Sequence, residues 1–232
     1  MIDELREKIE AYFVGENSGH GYEHACKVEK LAREFAQKEG ADEELVATAA
    51  LLHDVDDYKL VGYEAAGELA QAKRMMAELG VGAEAQEKVL EIIRTMGYSN
   101  YMRGVRPESL EGKCVSDADM CEACGVAGML RCFQFSFMKA GGVIFDRDFF
   151  PEVEQSAEHY QEKKDPGKHN TAVNHFFEKM LVIPQIMMTE TGRAEAEQRK
   201  KIMVDFLREM FREEDAPEWN DYLDKYLAKQ EG

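Results

Sequence analysis

Apolar residues recur along this chain at intervals of three and four, the spacing of one face of an α-helix. The pattern predicts a short amphipathic helix from Glu4 to Phe13, closed by Gly15. A second helix opens within Ser18–His24, presents His24, Val28, Leu31, Ala32 and Phe35, and stops at Glu39-Gly40. Asp42 is placed to cap a third, whose apolar run Leu45–Leu52 leads into His53-Asp54-Val55-Asp56-Asp57. Leu45, Ala49, Leu52 and His53 share one stripe of that helix, which turns His53 inward. Asp54 and Asp57 fall together on an adjacent side of it.

Further helices are predicted at about 62–79, 83–95, 116–137, 169–183, 193–213 and 217–229. Residues 98–112 are polar and read as loop with a short helical turn. Between Gly141-Gly142 and Asp165-Pro166-Gly167, the run Phe145–Pro151 reads as a surface loop, with a functional lid as its rival. No strand alternation and no repeat is visible. The expectation is an all-α fold, one domain over 1–232: a core at about 18–137, a loop-rich segment at 141–167, and C-terminal helices at 168–232 packed against the first bundle.

Composition narrows the function. The 232 residues are 44% hydrophobic and 32% charged, ample for a sizeable core. A net charge of −17 leaves no basic face for a nucleic-acid backbone, so a polymeric nucleic-acid partner is not expected. No apolar run approaches the roughly 20 residues of a membrane helix, and Met1-Ile2-Asp3-Glu4-Leu5-Arg6 is not a signal-peptide start. Five cysteines, an odd number, suit reduced thiols. The chain reads as cytoplasmic, with a homo-oligomer compatible with the sequence.

Three segments carry metal-ligand residue types on otherwise apolar faces: His24, His53-Asp54, and Asp119 on the line Asp119, Ala123, Val126, Ala127, Leu130. Buried charges are rare unless paired or metal-bound. Two neutral imidazoles and two carboxylates would neutralise a divalent ion and leave it open positions, where it could acidify water and polarise a phosphoryl oxygen. Asp57 would then orient or deprotonate the water. The ordinary alternative for each histidine is a core residue hydrogen-bonded to backbone.

The chain resembles the HD-domain metal-dependent phosphohydrolases, and within them a small bacterial branch of single-domain proteins. The likeness rests on Ser18-Gly19-His20-Gly21-Tyr22-Glu23-His24, Glu39-Gly40-Ala41-Asp42, Ala49-Ala50-Leu51-Leu52-His53-Asp54-Val55-Asp56-Asp57-Tyr58-Lys59 and Asp117-Ala118-Asp119. It continues through Thr171–Leu181 and Thr189-Glu190-Thr191-Gly192. The resemblance implies an HD-type helical bundle with additional C-terminal helices. It also implies His24, His53, Asp54 and Asp119 as ligands of one divalent ion (Mn, Co, Ni, Fe, Mg or Zn) and Asp57 as the acid that handles water. The implied reaction is hydrolysis of a small phosphorylated metabolite, with a nucleotide as the expected substrate. The alternative is a non-catalytic metal- or nucleotide-binding module that keeps the same ligands. A paired-iron oxidative enzyme is disfavoured because no histidine occurs from 54 to 158.

Departures from the family pattern matter too. Met120 replaces the arginine after the Asp-Ala-Asp run, and Lys27 replaces an arginine, keeping the charge without the bidentate fork. His20, Lys27, Lys59, Arg103 and Arg106 are the candidate substrate contacts, each with solvated or capping side chain as its competing account. His175 and Lys179, i and i+4 on a predicted helix, read as capping or salt-bridging groups. Cys121, Cys124 and the methionines of 180–188 read as core filler.

Overall fold

The computed structural model describes residues 1–15, 21–138, 142–151 and 170–231, apart from the side chains of Lys59, Tyr63 and Glu231. His20 and the side chain of Lys59, both candidate contacts, lie outside the described residues, as does most of the 141–167 segment. Fourteen α-helices and one π-turn make up the described chain, and the sole β-feature among the described residues is an isolated bridge from Val143 to Thr171. The all-α expectation is met. Among the described residues, no helix is long and apolar enough to cross a membrane.

Two compact units emerge, Met1–Glu122 with Ile186–Glu195, and Ala123–Gln185 with Ala196–Gly232. The first contains α1 (Ile2–Tyr12), α2 (Tyr22–Glu39), α3 (Glu43–Leu52), α4 (Tyr58–Val61), α5 (Tyr63–Ala66), α6 (Ala70–Glu78), α7 (Ala83–Thr95), α8 (Tyr98–Met102) and α9 (Leu110–Glu122). Helix α2 ends where Gly40 turns left-handed at φ 80°, a conformation that costs other residues more than glycine. Asp42 caps α3 by accepting from the N–H groups of Glu44 and Leu45.

Helix α3 is the hub. It packs against α1, α2, α7 and α9, and every residue from Val46 to Leu52 is buried. The single inward stripe expected from its sequence is therefore replaced by burial all round, as befits a helix enclosed by neighbours on every side. Leu45, one member of that stripe, is only half-buried. The helix also stops at Leu52: Val55 N–H donates to the Leu52 carbonyl and Asp57 N–H to the Asp54 carbonyl, turn bonds in place of the helical ladder.

The predicted helix at 116–137 is two helices. Gly125, at φ 70°, breaks it into α9 and α10 (Gly125–Met138), and Val126 and Leu130 are exposed. The line Asp119, Ala123, Val126, Ala127, Leu130 is thus not a continuous buried face. In the same way the 62–79 prediction is split into α5 and α6.

The second unit holds α10, α11 (Ala172–His175), a π-turn over Phe176–Met180 and all but the last residue of α12 (Ile183–Ile186). Most of α13 (Glu190–Glu213) and all of α14 (Pro217–Glu231) also belong to it. The single helix expected at 169–183 is interrupted by that π-turn. Four of the turn's five residues are buried, more than one α-helical stripe accommodates. His175 and Lys179 therefore do not share a regular i, i+4 face. An aromatic cluster centres on buried Trp219: Phe150 stacks on it at 4.4 Å and Phe145 meets it edge-on at 5.0 Å, while its indole N–H donates to the Arg147 carbonyl. The Phe145–Pro151 run is thereby anchored in the unit's core.

Candidate metal centre

Three elements of the first unit converge on one point. Helix α2 supplies His24 from its first turn, the turn after α3 supplies His53 and Asp54, and α9 supplies Asp119. The Nε2 atom of His24 lies 3.3 Å from Asp119 Oδ1 and 3.7 Å from Asp54 Oδ2. His53 Nε2 lies 3.3 Å from the same Asp54 oxygen and 3.8 Å from the same Asp119 oxygen. Ring nitrogens and carboxylate oxygens thus alternate around a small quadrilateral, and the imidazoles meet edge to face at 5.2 Å. Ligand atoms of His24, His53 and Asp119 all lie within 4.8 Å of one another, a group that could hold a metal ion.

The orientation of His53 is fixed from behind. Its Nδ1 lies 2.7 Å from the Ala50 carbonyl, an acceptor, so Nδ1 carries the proton and Nε2 is turned to the carboxylates. That Nε2 is buried and has no hydrogen-bond partner. A buried orphan of this kind is costly, and an ion between nitrogen and carboxylates would satisfy it. The donor set of two imidazoles and two carboxylates fits a divalent ion in type and in charge.

Electrostatics without an ion show the same need for positive charge. Burial lowers the His53 pKa, but the nearby Asp54 charge, Asp119 and the Ala50 carbonyl outweigh it and raise the group to about 9. His24 moves the other way: burial lowers it, and the charged His53 adds to that, against the pull of Asp119. Burial raises Asp119, yet His24 and His53 hold it at about 2.

Asp57 is half-buried at the start of α4, where its carbonyl accepts from Leu60 and Val61 N–H groups. Its N–H bond to Asp54 makes the two acids neighbours across one turn. They do not share a helix as the spacing suggested. Lys27 is exposed on α2, one turn beyond His24. Arg103 donates to Asn100. The Arg106 guanidinium lies 4.6 Å over the Tyr101 ring and donates to the Ile186 carbonyl. It lines a shallow cleft with Gly97, Tyr101, Ser116, Met120 and Met188. Gly97 forms the wall between that cleft and Asp119: a Cβ there would stand 3.9 Å from Asp119 Oδ2.

Two further acids carry structure that sequence reasoning did not assign. Asp56, buried, accepts from the N–H groups of Gln71 and Ala72 and caps α6. Asp117 is fully buried and accepts from Met188 N–H and from both the N–H and the hydroxyl of Thr189. Two residues along α9 is about 200° of rotation, which puts Asp117 and Asp119 on opposite faces; that spacing was the available signal. Cys121 and Cys124 are each buried, and none of the five cysteines is disulfide-bonded.

The sequence pattern of the HD domain matches residues 21–124, the stretch that holds all four converging side chains. The uncharacterized protein YpgQ of Bacillus subtilis (strain 168) is 33% identical over 218 residues, 94% of each chain. The chain belongs to the HD-domain phosphohydrolase superfamily. Solved structures agree with this family membership. A Lactobacillus plantarum protein superposes with a TM-score of 0.76 at 31% identity, covering 93% of this chain and 97% of the other. An HD-superfamily hydrolase from Bacillus thuringiensis gives 0.71 at 29%, covering 93% and 97%. YpgQ itself, in complex with ADP, gives 0.69 at 28%, covering 92% and 97%. Family and site together mark this HD protein as a metal-dependent hydrolase.

Proposed function

We propose that this HD protein hydrolyses a small phosphorylated metabolite, a nucleotide by preference, with one divalent ion held by His24, His53, Asp54 and Asp119. The observation that carries the reading is the buried Nε2 of His53, without a hydrogen-bond partner and facing two carboxylates and a second imidazole. When bound, a divalent ion supplies Lewis-acid polarisation of a phosphoryl oxygen and acidifies water. Asp57, one turn from Asp54, orients the attacking water and accepts its proton. Lys27 and Arg106, with His20, Lys59 and Arg103, are the donors for the phosphate charge that develops. Arg106 spends one N–H on Ile186 and has others to give.

The nucleotide assignment is supported by the relative YpgQ, crystallised with ADP, and by a net charge of −17 that disfavours polymeric nucleic acid. The test is a panel of nucleoside mono-, di- and triphosphates, cyclic nucleotides and generic phosphoesters, each with Mn²⁺, Co²⁺, Ni²⁺ or Mg²⁺. Metal-dependent turnover of a nucleotide is expected, reduced about 100-fold or more in Asp57→Asn with metal uptake retained. Tight nucleotide binding with no turnover of any phosphoester would replace the enzyme by a binding module.

A further inference from the structure

We infer that Asp117 is a positioning residue: the segment Met188–Gly192 grips it and thereby sets the rotation of α9 that aims Asp119. The inference rests on the reading of Asp119 as a metal ligand. Asp117 takes no part in the quadrilateral of side chains, being on the far face of the helix, yet its two oxygens accept from three donors of Met188 and Thr189. Oδ1 accepts from Met188 N–H at 3.1 Å. Oδ2 accepts from Met188 N–H at 3.0 Å, from Thr189 N–H at 2.8 Å and from the Thr189 hydroxyl at 2.8 Å.

The grip is itself built. The Thr189 oxygen, while donating its proton to Asp117, accepts from Gly192 N–H at 3.0 Å, closing the first turn of α13. Gly192 has no room for a side chain: a Cβ would meet Asp117 Oδ2 at 2.5 Å and Thr189 Oγ1 at 2.7 Å. The Cys121 thiol, one turn along α9 from Asp117, reaches the Gly192 carbonyl. Thr191 N–H is tied in turn to Glu39, at the end of α2. Helix α9 is therefore held on both sides, with Asp119 against His24 on one and Asp117 in the Thr189–Gly192 cradle on the other.

The lever is short. A side-chain atom rides roughly 5–6 Å from a helix axis, so a rotation of about 10° displaces the Asp119 carboxylate by about 1 Å. A ligand set needs its members held to about 0.5 Å. Losing the grip should thus be felt as metal affinity, and a simple helix cap would be felt as stability alone.

The experiment is Mn²⁺ titration of the full chain, at a temperature where circular dichroism shows each variant folded. Asp117→Asn turns an acceptor into a donor facing Thr189, and Thr189→Val removes one hydroxyl at constant shape. Both are expected to weaken Mn²⁺ binding about tenfold or more, while Thr189→Ser stays near wild type. Gly80→Ala, which strains the turn between α6 and α7 at φ 70°, should lower the melting temperature and leave Mn²⁺ affinity unchanged. Folded Asp117→Asn and Thr189→Val proteins with wild-type Mn²⁺ affinity overturn the inference; if Asp117→Asn does not fold, Thr189→Val decides alone. Asp119→Ala and His53→Ala separate the two claims. Loss of Mn²⁺ in these with retention in the Asp117 and Thr189 variants removes only the positioning role. Retention in all four removes the metal reading as well.

Discussion

His24 Nε2 stands 3.3 Å from Oδ1 of Asp119, although the two residues come from helices far apart in the chain. Their meeting point contains a second imidazole and a second carboxylate, drawn together by a hub helix buried on every side. Gathering four such groups out of water costs stability unless an ion joins them. Metal removal should therefore lower the melting temperature. Titrating Mn²⁺ back should raise stability by about 2.7 kcal/mol when free ion reaches 100 times its Kd. Thermal denaturation with and without a chelator measures this, and His53→Ala should show no such response.

Metal uptake should depend on pH in a definite direction. Without an ion, His53 keeps its proton up to about 9, His24 lies below its ordinary value, and Asp119 is ionised from about 2 upward. An ion must displace the His53 proton, so affinity for Mn²⁺ should rise roughly tenfold per pH unit on approaching pH 9. Close to one proton per ion should be released at pH 7. Calorimetry in two buffers of different ionisation enthalpy counts it. The metal-free protein has the opposite trend. Because the folded His53 pKa is raised, its contribution to stability is fully present below about 6.5 and is lost as pH rises through about 9.

Asp56→Ala should destabilise the protein by about 1–3 kcal/mol, because it strips the cap from α6 and leaves the N–H groups of Gln71 and Ala72 unsatisfied. At ~2–4 °C per kcal/mol for a chain of this size, the shift is readable by circular dichroism. Asp56→Asn, which can still accept one of these bonds, should recover part of it.

Gly40→Ala is expected to cost about 1 kcal/mol. No atom lies within 4 Å of the added Cβ, so the penalty is backbone strain at φ 80° rather than a clash. Urea denaturation should show a lower midpoint at unchanged slope.

Much of this was legible in the sequence, and the failures have physical causes. Helical periodicity located α1, α2, α7 and α14, where polar and apolar faces alternate cleanly. It misjudged α3, because a helix wrapped by four others carries no polar face to mark its orientation. The sequence placed the end of α3 at His53-Asp54, one residue from its C-cap, but not the departure of Asp57 from the helix: Val55-Asp56-Asp57 contains neither glycine nor proline, and the chain leaves through turn bonds. Gly125 did announce the break between α9 and α10, and the strength of the flanking apolar pattern hid it. His24, His53, Asp54 and Asp119 were brought together as their residue types and the family likeness suggested. The separate tasks of Asp56 and Asp117 depend on where α6 and α13 begin, which no local pattern around either acid records.

The most direct measurement is the metal content of protein stripped with chelator, reloaded with Mn²⁺ and desalted, compared with His53→Ala and Asp119→Ala treated alike. Bound Mn²⁺ is expected in stoichiometric amount for the wild-type chain and at about a tenth of that or less for either variant. Equal Mn²⁺ in all three, or none in the wild type, would contradict the metal reading.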